Sequence, residues 1–529
     1  QRIRLPGGRY ERFEARHTWS AAYRVSNWVY YNAQRHADHH TAAGRLYALL
    51  KHSGPDEAPQ LPGTYAKMGN MVLFPRRWFR TMDPLVERWR THFYPEIDDW
   101  SAYDSAAYAA RPDAFEAIAE IFAAAPRMGA WIDDDPGLLD YLQTREFTEL
   151  DLPEGFGPDS EFETVARCGL TRVYWTHEFD VPQMKEQLAE LPFKDAREAA
   201  VAARNWSNGK VFQISMHTMR GNLSPVEAGT ALSNVAEASV TQVLTVVAEE
   251  FAERRAGGPE SKVAAVLIGE ISSGEAAPGA DLDVLFLNDG SSADYADALC
   301  RRFDEALCGL SRDSLLFAPL PHKRKTWTVR SLAEFQAHHR TAASAAEFRA
   351  LFRARCVFAA GDPGLVTRFD EARREALTHG IAREALIAEL RESSGNATEP
   401  DPRHVDVLRG GFRDVEGAAR IQQLIHAEAC PEALVPGIAS AFRTLGTHGL
   451  IPADTAGSLE ETATMWRNLR GILPLVMRDD CPADTAGSKV NATIARACGL
   501  DDFDVLEYNI RDTAYRATTD IAALEGRSA

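Results

Sequence analysis

The sequence predicts a mostly helical protein with a small α/β core. Apolar residues recur at helical spacing over much of the chain, most clearly from 225 to 255. Two short apolar runs, 263–269 and 282–287, predict buried strands joined by a loop of small residues. From Leu332 onward the pattern is almost entirely helical. We therefore expect a mostly α fold with a helical N-terminal fragment, a small α/β core and a C-terminal helical bundle.

Charge divides the chain into regions of different character. The formal net charge is −18 over 529 residues, yet residues 1–100 carry a net charge of +5 and the remainder −23. This break predicts a first region at 1–95 and a linker at 96–114. The later regions are a helical region at 115–260, the core at 261–335 and the bundle at 336–529. The acidic bulk argues against nucleic acid as a main partner.

Three histidines within five residues form the most distinctive cluster near the start of the chain. On a helix, His36 and His40 are one turn apart on the same face, with His39 beside them. Neutral imidazole is a common ligand for iron, zinc and copper. The two interpretations are an iron-type metal site and a solvated polar face of a helix.

The front segment, residues 5–90, resembles the C-terminal end of membrane alkane 1-monooxygenases. The resemblance rests on motifs that occur in order: 8–20, 25–27, the histidine cluster, 58–62, 74–78 and 82–84. It implies that His36, His39 and His40 are iron ligands of a membrane di-iron hydroxylase. It also implies that the chain meets a membrane only through a missing N-terminal part. Three ligands from one cluster leave such a two-iron site incomplete.

Asp281 and Asp283 form the second candidate site. Side chains alternate along a strand, so these two carboxylates share one face. The preceding loop offers four candidate nucleotide-binding residues, Gly269, Ser272, Ser273 and Gly279. Carboxylates beside a loop of small residues suit Mg²⁺-assisted nucleotidyl transfer from ATP. The alternative is that the pair is only a solvated edge of a strand.

Residues 112–475 resemble one half of the glutamine synthetase adenylyltransferase/deadenylylase family. Besides the hairpin, the matching motifs lie at 331–335, 353–363, 368–369, 409–416 and 424–426. The resemblance implies a nucleotidyltransferase-like core that moves AMP between ATP and a tyrosine of glutamine synthetase, or removes it by phosphorolysis. It implies that Asp281 and Asp283 are catalytic magnesium ligands. Asp414 and Glu416 would correspond to the acidic pair that follows the family's Gly-Gly turn.

The core departs from that family at three points. Glu270 stands where the family has a lysine, Ala280 replaces a serine, and residues 315–321 lack the family's third carboxylate. The basic run at 322–325 supplies cations nearby. A negative charge beside a triphosphate and a missing metal ligand both oppose catalysis.

Three functional hypotheses follow from these patterns. The leading one is a composite chain, in which the C-terminal part of an alkane 1-monooxygenase-like hydroxylase precedes a diverged adenylyltransferase-like domain with impaired catalysis. The second is an active adenylyltransferase/deadenylylase of glutamine synthetase, and the third is a non-enzymatic regulatory module. The expected partner is glutamine synthetase or a nitrogen-signalling protein. The expected location is the cytoplasm, or the cytoplasmic face of a membrane if a hydroxylase part lies upstream.

Overall fold

The computed structural model is mostly helical and comprises two units, Gln1–Pro112 and Asp113–Ala529. It describes residues 14–21, 23, 35–41, 49–64, 67–68, 75–97, 112–135, 137–139, 180–254, 262–291, 293–319, 330–393, 395–397, 401, 404–477 and 488–526. The mostly α fold class predicted from the sequence is confirmed.

Two helices define the described part of the first unit, α1 (His36–Thr41) and α2 (Pro75–Phe93). The indole of Trp89, on α2, donates a hydrogen bond to the carbonyl of Arg16 at 2.7 Å. The guanidinium of Arg16 lies 5.1 Å from the centre of the Tyr94 ring, within the range of a cation–π contact. These contacts attach the N-terminal residues to α2.

Long helices surround one small sheet in the second unit. Before the first strand come α3 (Pro112–Ala124), α4 (Pro126–Asp134), α5 (Val181–Ala189), α6 (Ala196–Met219) and α7 (Pro225–Arg254). After the second strand come α8 (Ala293–Ser311), α9 (Leu332–Thr341), α10 (Ala345–Phe352), α11 (Gly364–His379) and α12 (Arg383–Glu392). The C-terminal bundle consists of α13 (Phe412–His426), α14 (Ile438–Thr447), α15 (Ala453–Val476), α16 (Ser488–Ala497) and α17 (Phe503–Leu524).

Local side chains start several of these helices. The carboxylate of Asp195 accepts a hydrogen bond from the Glu198 backbone N–H at 2.8 Å and caps α6. Ser331 and Ser344 open α9 and α10, and each forms a capping box with the glutamate three residues later. These caps satisfy backbone N–H groups that the first helical turn leaves without partners.

The α7 helix is the central packing element of the second unit. Among the described residues, it is the one helix long and apolar enough to cross a membrane, and 72% of its most apolar window is buried inside the protein. It packs against α5, α6, α8 and α15, with Val235 and Val243 fully buried. Contacts within the protein therefore account for its apolar surface.

The sheet has four strands in the order β3-β2-β1-β4. The strands β1 (Val263–Ile268) and β2 (Asp283–Asn288) form the predicted antiparallel hairpin. The short β3 (Arg330–Ser331) is parallel to the end of β2, and β4 (Ala354–Ala360) is antiparallel to β1. The prediction of almost continuous helix after Leu332 is wrong at β4. The open edge of β1 offers this segment backbone hydrogen bonds, and such pairing outweighs a weak local preference.

Helices cover the two faces of the sheet unequally. On one face, the ring of Phe286 lies 5.5 Å from the ring of Phe303 on α8. On the other face, Leu287 is buried together with Phe348 of α10 and neighbouring side chains. Because side chains alternate along β2, Leu287 and Asp283 share this second face. The core thus covers the far end of β2, and the end near Asp283 is more accessible.

The C-terminal bundle packs around α15. This helix contacts α13, α14, α16 and α17 within the bundle and α7 outside it. Its Trp466 side chain is fully buried at the centre of these contacts. The helix α15 therefore connects the bundle to the part of the unit that carries the sheet.

Candidate functional site

The two predicted carboxylates lie at the start of β2, on one face of the sheet. Asp281 is exposed, Leu282 is buried, and Asp283 is half-buried and paired with Ile268 across the hairpin. This alternation places both carboxylates opposite Leu282, as the two-residue period of a strand requires. The structure brings Asp281 and Asp283 together beside the loop, while their roles in catalysis and magnesium binding stay predictions.

The loop between β1 and β2 is held by its own backbone and by the residue before β4. Gly269, with φ of 88°, donates its N–H to the carbonyl of Arg353 at 2.8 Å, and this φ is one that glycine adopts without a steric penalty. The Ser272 hydroxyl lies 2.9 Å from the Gly269 carbonyl and 2.5 Å from the Arg353 carbonyl. The Ser273 hydroxyl donates to the Glu270 carbonyl at 3.1 Å. Both hydroxyls are engaged with backbone carbonyls, and their predicted contact with phosphate stays a prediction.

The segment beside Asp281 is apolar in its described part. Ala280 forms a parallel bridge with Phe317, and Gly279 donates its N–H to the carbonyl of Leu315 at 2.9 Å. Phe317 is buried in the core. The described residues 315–319 therefore bring no carboxylate to the aspartate pair. The basic run at 322–325 lies outside the described residues.

A buried group of arginine and glutamate side chains lies behind the loop. Arg353 pairs with Glu275 at 3.0 Å and with Glu416 of α13 at 2.7 Å. The Glu275 side chain is only 4% exposed, and Arg467 of α15 approaches its second oxygen at 3.5 Å. We call these residues, together with Arg420, the Arg353 cluster. It connects the loop to two helices of the bundle.

Electrostatic interactions keep the Arg353 cluster charged. Burial raises the pKa of Glu416, but the nearby arginines, chiefly Arg353 and Arg420, hold that pKa below its ordinary value. Burial lowers the pKa of Arg353, but the carboxylates of Glu416 and Glu275 raise it above its ordinary value. For Arg420 burial dominates and lowers the pKa to about 10, even though Glu416 opposes this. All three groups are therefore ionised at neutral pH.

An arginine of the bundle compensates the charge of Glu270. The Glu270 carboxylate lies 3.0 Å from the guanidinium of Arg470, which also pairs with Asp406 at 3.0 Å. The same guanidinium lies 4.0 Å from the centre of the Phe412 ring. A cation from α15 thus offsets the negative charge that opposes phosphate binding at this position.

The shape of the surroundings limits where a nucleotide could bind. A cavity of about 120 Å³ lies between the loop, α7 and α15. Small-molecule pockets are typically about 300–1,000 Å³, so this cavity is too small for a nucleotide. A larger groove of about 870 Å³ runs between α6, α7 and α8, and α8 covers the sheet face opposite Asp283. Among the described residues, the exposed edge at Asp281 offers a nucleotide an approach to both carboxylates.

The second predicted acidic pair, at the start of α13, has defined structural contacts. The Asp414 carboxylate accepts hydrogen bonds from the backbone N–H groups of Gly395 at 2.6 Å and Gly410 at 2.7 Å. Glu416 belongs to the Arg353 cluster. Both side chains thus stabilise the start of α13, and their correspondence to the family's acidic pair stays a prediction.

The histidine cluster lies on α1, a helix of six residues. The side chains of His36, His39 and His40 lie outside the described residues. The acid among them, Asp38, accepts a hydrogen bond from the Lys51 backbone N–H at 2.7 Å. This bond attaches α1 to the segment that follows it.

Sequence reasoning did not single out Glu275, Arg467 and Arg470. Two signals were present: Glu275 is a lone acid in the second half of a loop of small residues, and the two arginines lie one turn apart on α15. Such spacing indicates a basic helix face. The partner of that face is almost 200 residues away along the chain, so the sequence pattern could not identify it.

Two family models match the second unit. Residues 175–372 match the family described as glutamate-ammonia ligase adenylyltransferase, and residues 390–526 match the family described as GlnD PII-uridylyltransferase. The first match contains the whole sheet with Asp281 and Asp283, and the second contains the bundle. The first match confirms the predicted similarity to glutamine synthetase adenylyltransferases for the part of the chain that carries the sheet.

Curated relatives agree with the first family model. A bifunctional glutamine synthetase adenylyltransferase/adenylyl-removing enzyme of Bradyrhizobium diazoefficiens is 26% identical over 419 residues, which cover 75% of this chain and 39% of the relative. The enzyme of that name from Rhodopseudomonas palustris shows the same identity and coverage. Its counterpart from Xanthobacter autotrophicus is 25% identical over 77% of this chain and 41% of the relative. The chain spans about two fifths of the length of these relatives.

These comparisons correct the leading hypothesis. The composite-chain hypothesis is wrong, because relatives that align over three quarters of the chain are adenylyltransferase/adenylyl-removing enzymes and neither family model is a monooxygenase. The alkane 1-monooxygenase resemblance and the iron site at His36, His39 and His40 have no support from these findings. A short helix with clustered histidines is equally typical of a solvated polar face. The findings favour the adenylyltransferase hypothesis instead.

Proposed function

We propose that the second unit is an adenylyltransferase-type domain that moves AMP between ATP and glutamine synthetase. The observation that carries the proposal is the pair of carboxylates where the loop enters β2, with Asp281 two residues before Asp283, the first residue of the strand, in a region that matches the adenylyltransferase family model. The similarity to enzymes named for adenylyl transfer to and removal from glutamine synthetase supports the choice of substrate.

Magnesium and ATP fit the side chains present at this edge. Asp281 and Asp283 supply the oxygen ligands that Mg²⁺ prefers, and the exposure of Asp281 leaves space for the water molecules that Mg²⁺ retains. A bound magnesium ion would neutralise negative charge on the phosphates during nucleotidyl transfer. The chain contributes the position of the two carboxylates, which the Asp283–Ile268 pairing and the Ala280–Phe317 bridge fix from both sides.

The Arg353 cluster gives the loop its shape before a nucleotide binds. The Arg353 backbone accepts hydrogen bonds from the loop, and its side chain is anchored by Glu275 and Glu416. A phosphate-binding loop that is already ordered loses less conformational entropy when its ligand binds. We therefore propose that this cluster positions the loop for the triphosphate.

A second candidate is a non-enzymatic regulatory module that binds glutamine synthetase or a nitrogen-signalling protein. Phe317 favours this candidate, because it occupies the segment next to Ala280 and that segment supplies no third carboxylate in its described part. The similarity of residues 390–526 to a PII-uridylyltransferase family model supports the bundle as the protein-binding part.

The deciding experiment measures transfer of radiolabelled AMP from ATP to purified glutamine synthetase in the presence of Mg²⁺. We expect Asp281→Asn and Asp283→Asn each to lower the labelling rate by about 100-fold or more, the scale seen when a main electrostatic group of an active site is removed. The matched control is Asp294→Asn, an exposed aspartate on α8. It should label glutamine synthetase at the wild-type rate.

Binding measurements separate the two candidates. If the wild type and both aspartate variants bind glutamine synthetase equally well but none labels it, the domain is a regulatory module. If neither labelling nor binding occurs, both candidates are refuted. The reverse reaction, release of label from adenylylated glutamine synthetase, is measured with the same variants and tests the removal activity.

A further inference from the structure

Three side chains with metal-binding atoms meet close to the turn between α13 and α14. One ligand atom each from Cys430, Glu432 and His448 lies within 4.8 Å of the other two. Cys430 is buried, whereas Glu432 and His448 are exposed. The group thus has a fixed inner member and an open side through which an ion can enter.

The ring of the histidine in this group is held by a backbone contact. His448 follows the last residue of α14, and its Nδ1 lies 2.9 Å from the Thr444 carbonyl. A carbonyl only accepts hydrogen bonds, so Nδ1 carries a proton in this contact, and the ligand atom of the neutral ring would be Nε2. Metal-binding histidines usually donate their second ring N–H to such an acceptor, which fixes both tautomer and ring orientation.

Buried side chains of α13 hold the turn that carries the other two ligands. Gln423 donates to the carbonyls of Ala433 at 2.5 Å and Val435 at 2.8 Å. Arg420 donates to the carbonyl of Pro436 at 2.7 Å. The turn from 430 to 436 is therefore ordered by the protein itself, as a preorganised binding site requires.

We propose that Cys430, Glu432 and His448 bind a borderline transition-metal ion, with Zn²⁺ as the best match. Sulfur, imidazole nitrogen and carboxylate oxygen form a ligand set for such an ion and are unsuited to Mg²⁺ or Ca²⁺. At a tetrahedral angle, metal–sulfur and metal–nitrogen bonds of about 2.3 and 2.0 Å place the two ligand atoms about 3.5 Å apart. Ligand atoms as far apart as 4.8 Å must approach by about 1.3 Å to reach this spacing, which the exposed Glu432 and His448 side chains allow.

The ion would join the turn after α13 to the end of α14. Three protein ligands leave a fourth position for water or another ligand. A metal that binds the folded but not the unfolded chain also raises the midpoint of thermal unfolding. The site therefore predicts both metal uptake and a thermal shift, and neither depends on adenylyl transfer.

The test uses the full chain, freed of metal by a chelator, with Zn²⁺ and Co²⁺ as probes. We expect one equivalent of Zn²⁺ per chain, and with Co²⁺ we expect a near-ultraviolet thiolate-to-cobalt charge-transfer band. Cys430→Ser should remove that band. Glu432 and His448 are exposed, so replacing them does not put folding at risk. Glu432→Gln and His448→Gln should each weaken Zn²⁺ binding by more than about tenfold. This is the smallest loss typical of removing a residue that only supports a metal ligand.

Matched controls address the other thiols and histidines. Cys498 is a half-buried thiol and His379 is an exposed histidine, and both lie outside the group. Cys498→Ser and His379→Gln should therefore keep the cobalt charge-transfer band and the Zn²⁺ affinity of the wild type. A variant in which His36, His39 and His40 are alanine should do the same. Absence of the band from the wild type, or a band and affinity unchanged in Cys430→Ser and His448→Gln, would overturn the proposal.

Discussion

Replacing Arg353 with methionine is expected to destabilise the second unit strongly. Arg353 makes two ion pairs, at 3.0 Å with Glu275 and at 2.7 Å with Glu416. At an effective dielectric constant of about 20, each pair attracts with about 5–6 kcal/mol, and much of this compensates the cost of removing the charges from water. Without Arg353, Glu275 retains Arg467 at 3.5 Å while its side chain is only 4% exposed. Removing one partner of a buried ion pair in this way costs about 3–5 kcal/mol of unfolding free energy.

The assay is urea denaturation of the full chain, followed by circular dichroism. Arg353→Met should lower the free energy of unfolding by about 3 kcal/mol or more. Adding Glu275→Gln to this variant should restore about 1–3 kcal/mol, because a buried carboxylate that has lost its nearer partner becomes a neutral amide. The matched control is Arg368→Met, which breaks a pair with Asp362 whose side chains are 44% and 24% exposed. Because water screens that exposed pair, its loss should lower the free energy of unfolding far less than Arg353→Met does.

Two results would refute this reasoning. The first is a destabilisation by Arg353→Met that does not exceed that of Arg368→Met. The second is a double variant that is less stable than Arg353→Met alone, since the Glu275 carboxylate would then be adequately compensated without Arg353. Either result would mean that water screens the Arg353 cluster far more than its burial implies.

Three further predictions concern the same unit. Burial raises the pKa of Glu347, but hydrogen bonds from Ser344 and His338 lower it to about 2. Because this value is below that of the unfolded chain, the Glu347 carboxylate stabilises the fold above about pH 4.5 and loses this effect as the pH falls towards 2. Glu347→Gln should therefore cost up to about 1 kcal/mol at pH 7 and nothing near pH 2 in urea denaturation, and equal costs at both values would contradict this. Gly410→Ala should cost more than about 3 kcal/mol, because φ is 75° and the new Cβ would lie 2.0 Å from the Ala514 carbonyl oxygen. Gly449→Ala, with φ of 67° and no atom within 4 Å, should cost only about 1–2 kcal/mol, and similar thermal unfolding midpoints for the two variants would refute the steric argument. Phe286→Ala should cost about 3–5 kcal/mol, because its ring is buried against α8, whereas a change within about 0.5 kcal/mol by denaturation would show that β2 does not pack there.

Much of the fold follows from local pattern. The hairpin of β1 and β2, the long helix α7 and the shared face of Asp281 and Asp283 depend on periods of two or 3.6 residues, which neighbouring positions reveal. The strand β4 does not follow in this way, because it exists through pairing with the edge of β1.

Some features of the candidate site likewise follow from local sequence, whereas others depend on tertiary contacts. The position of Asp281 and Asp283, and the lack of an acid in the described residues 315–319, are determined by the sequence alone. Only the tertiary structure decides that Arg470 compensates Glu270 and that Glu275 lies between Arg353 and Arg467. The physical reason is distance along the chain. Strand and helix periodicity involve residues that are close in the sequence, whereas burial and ion pairing depend on which distant segments the fold brings into contact.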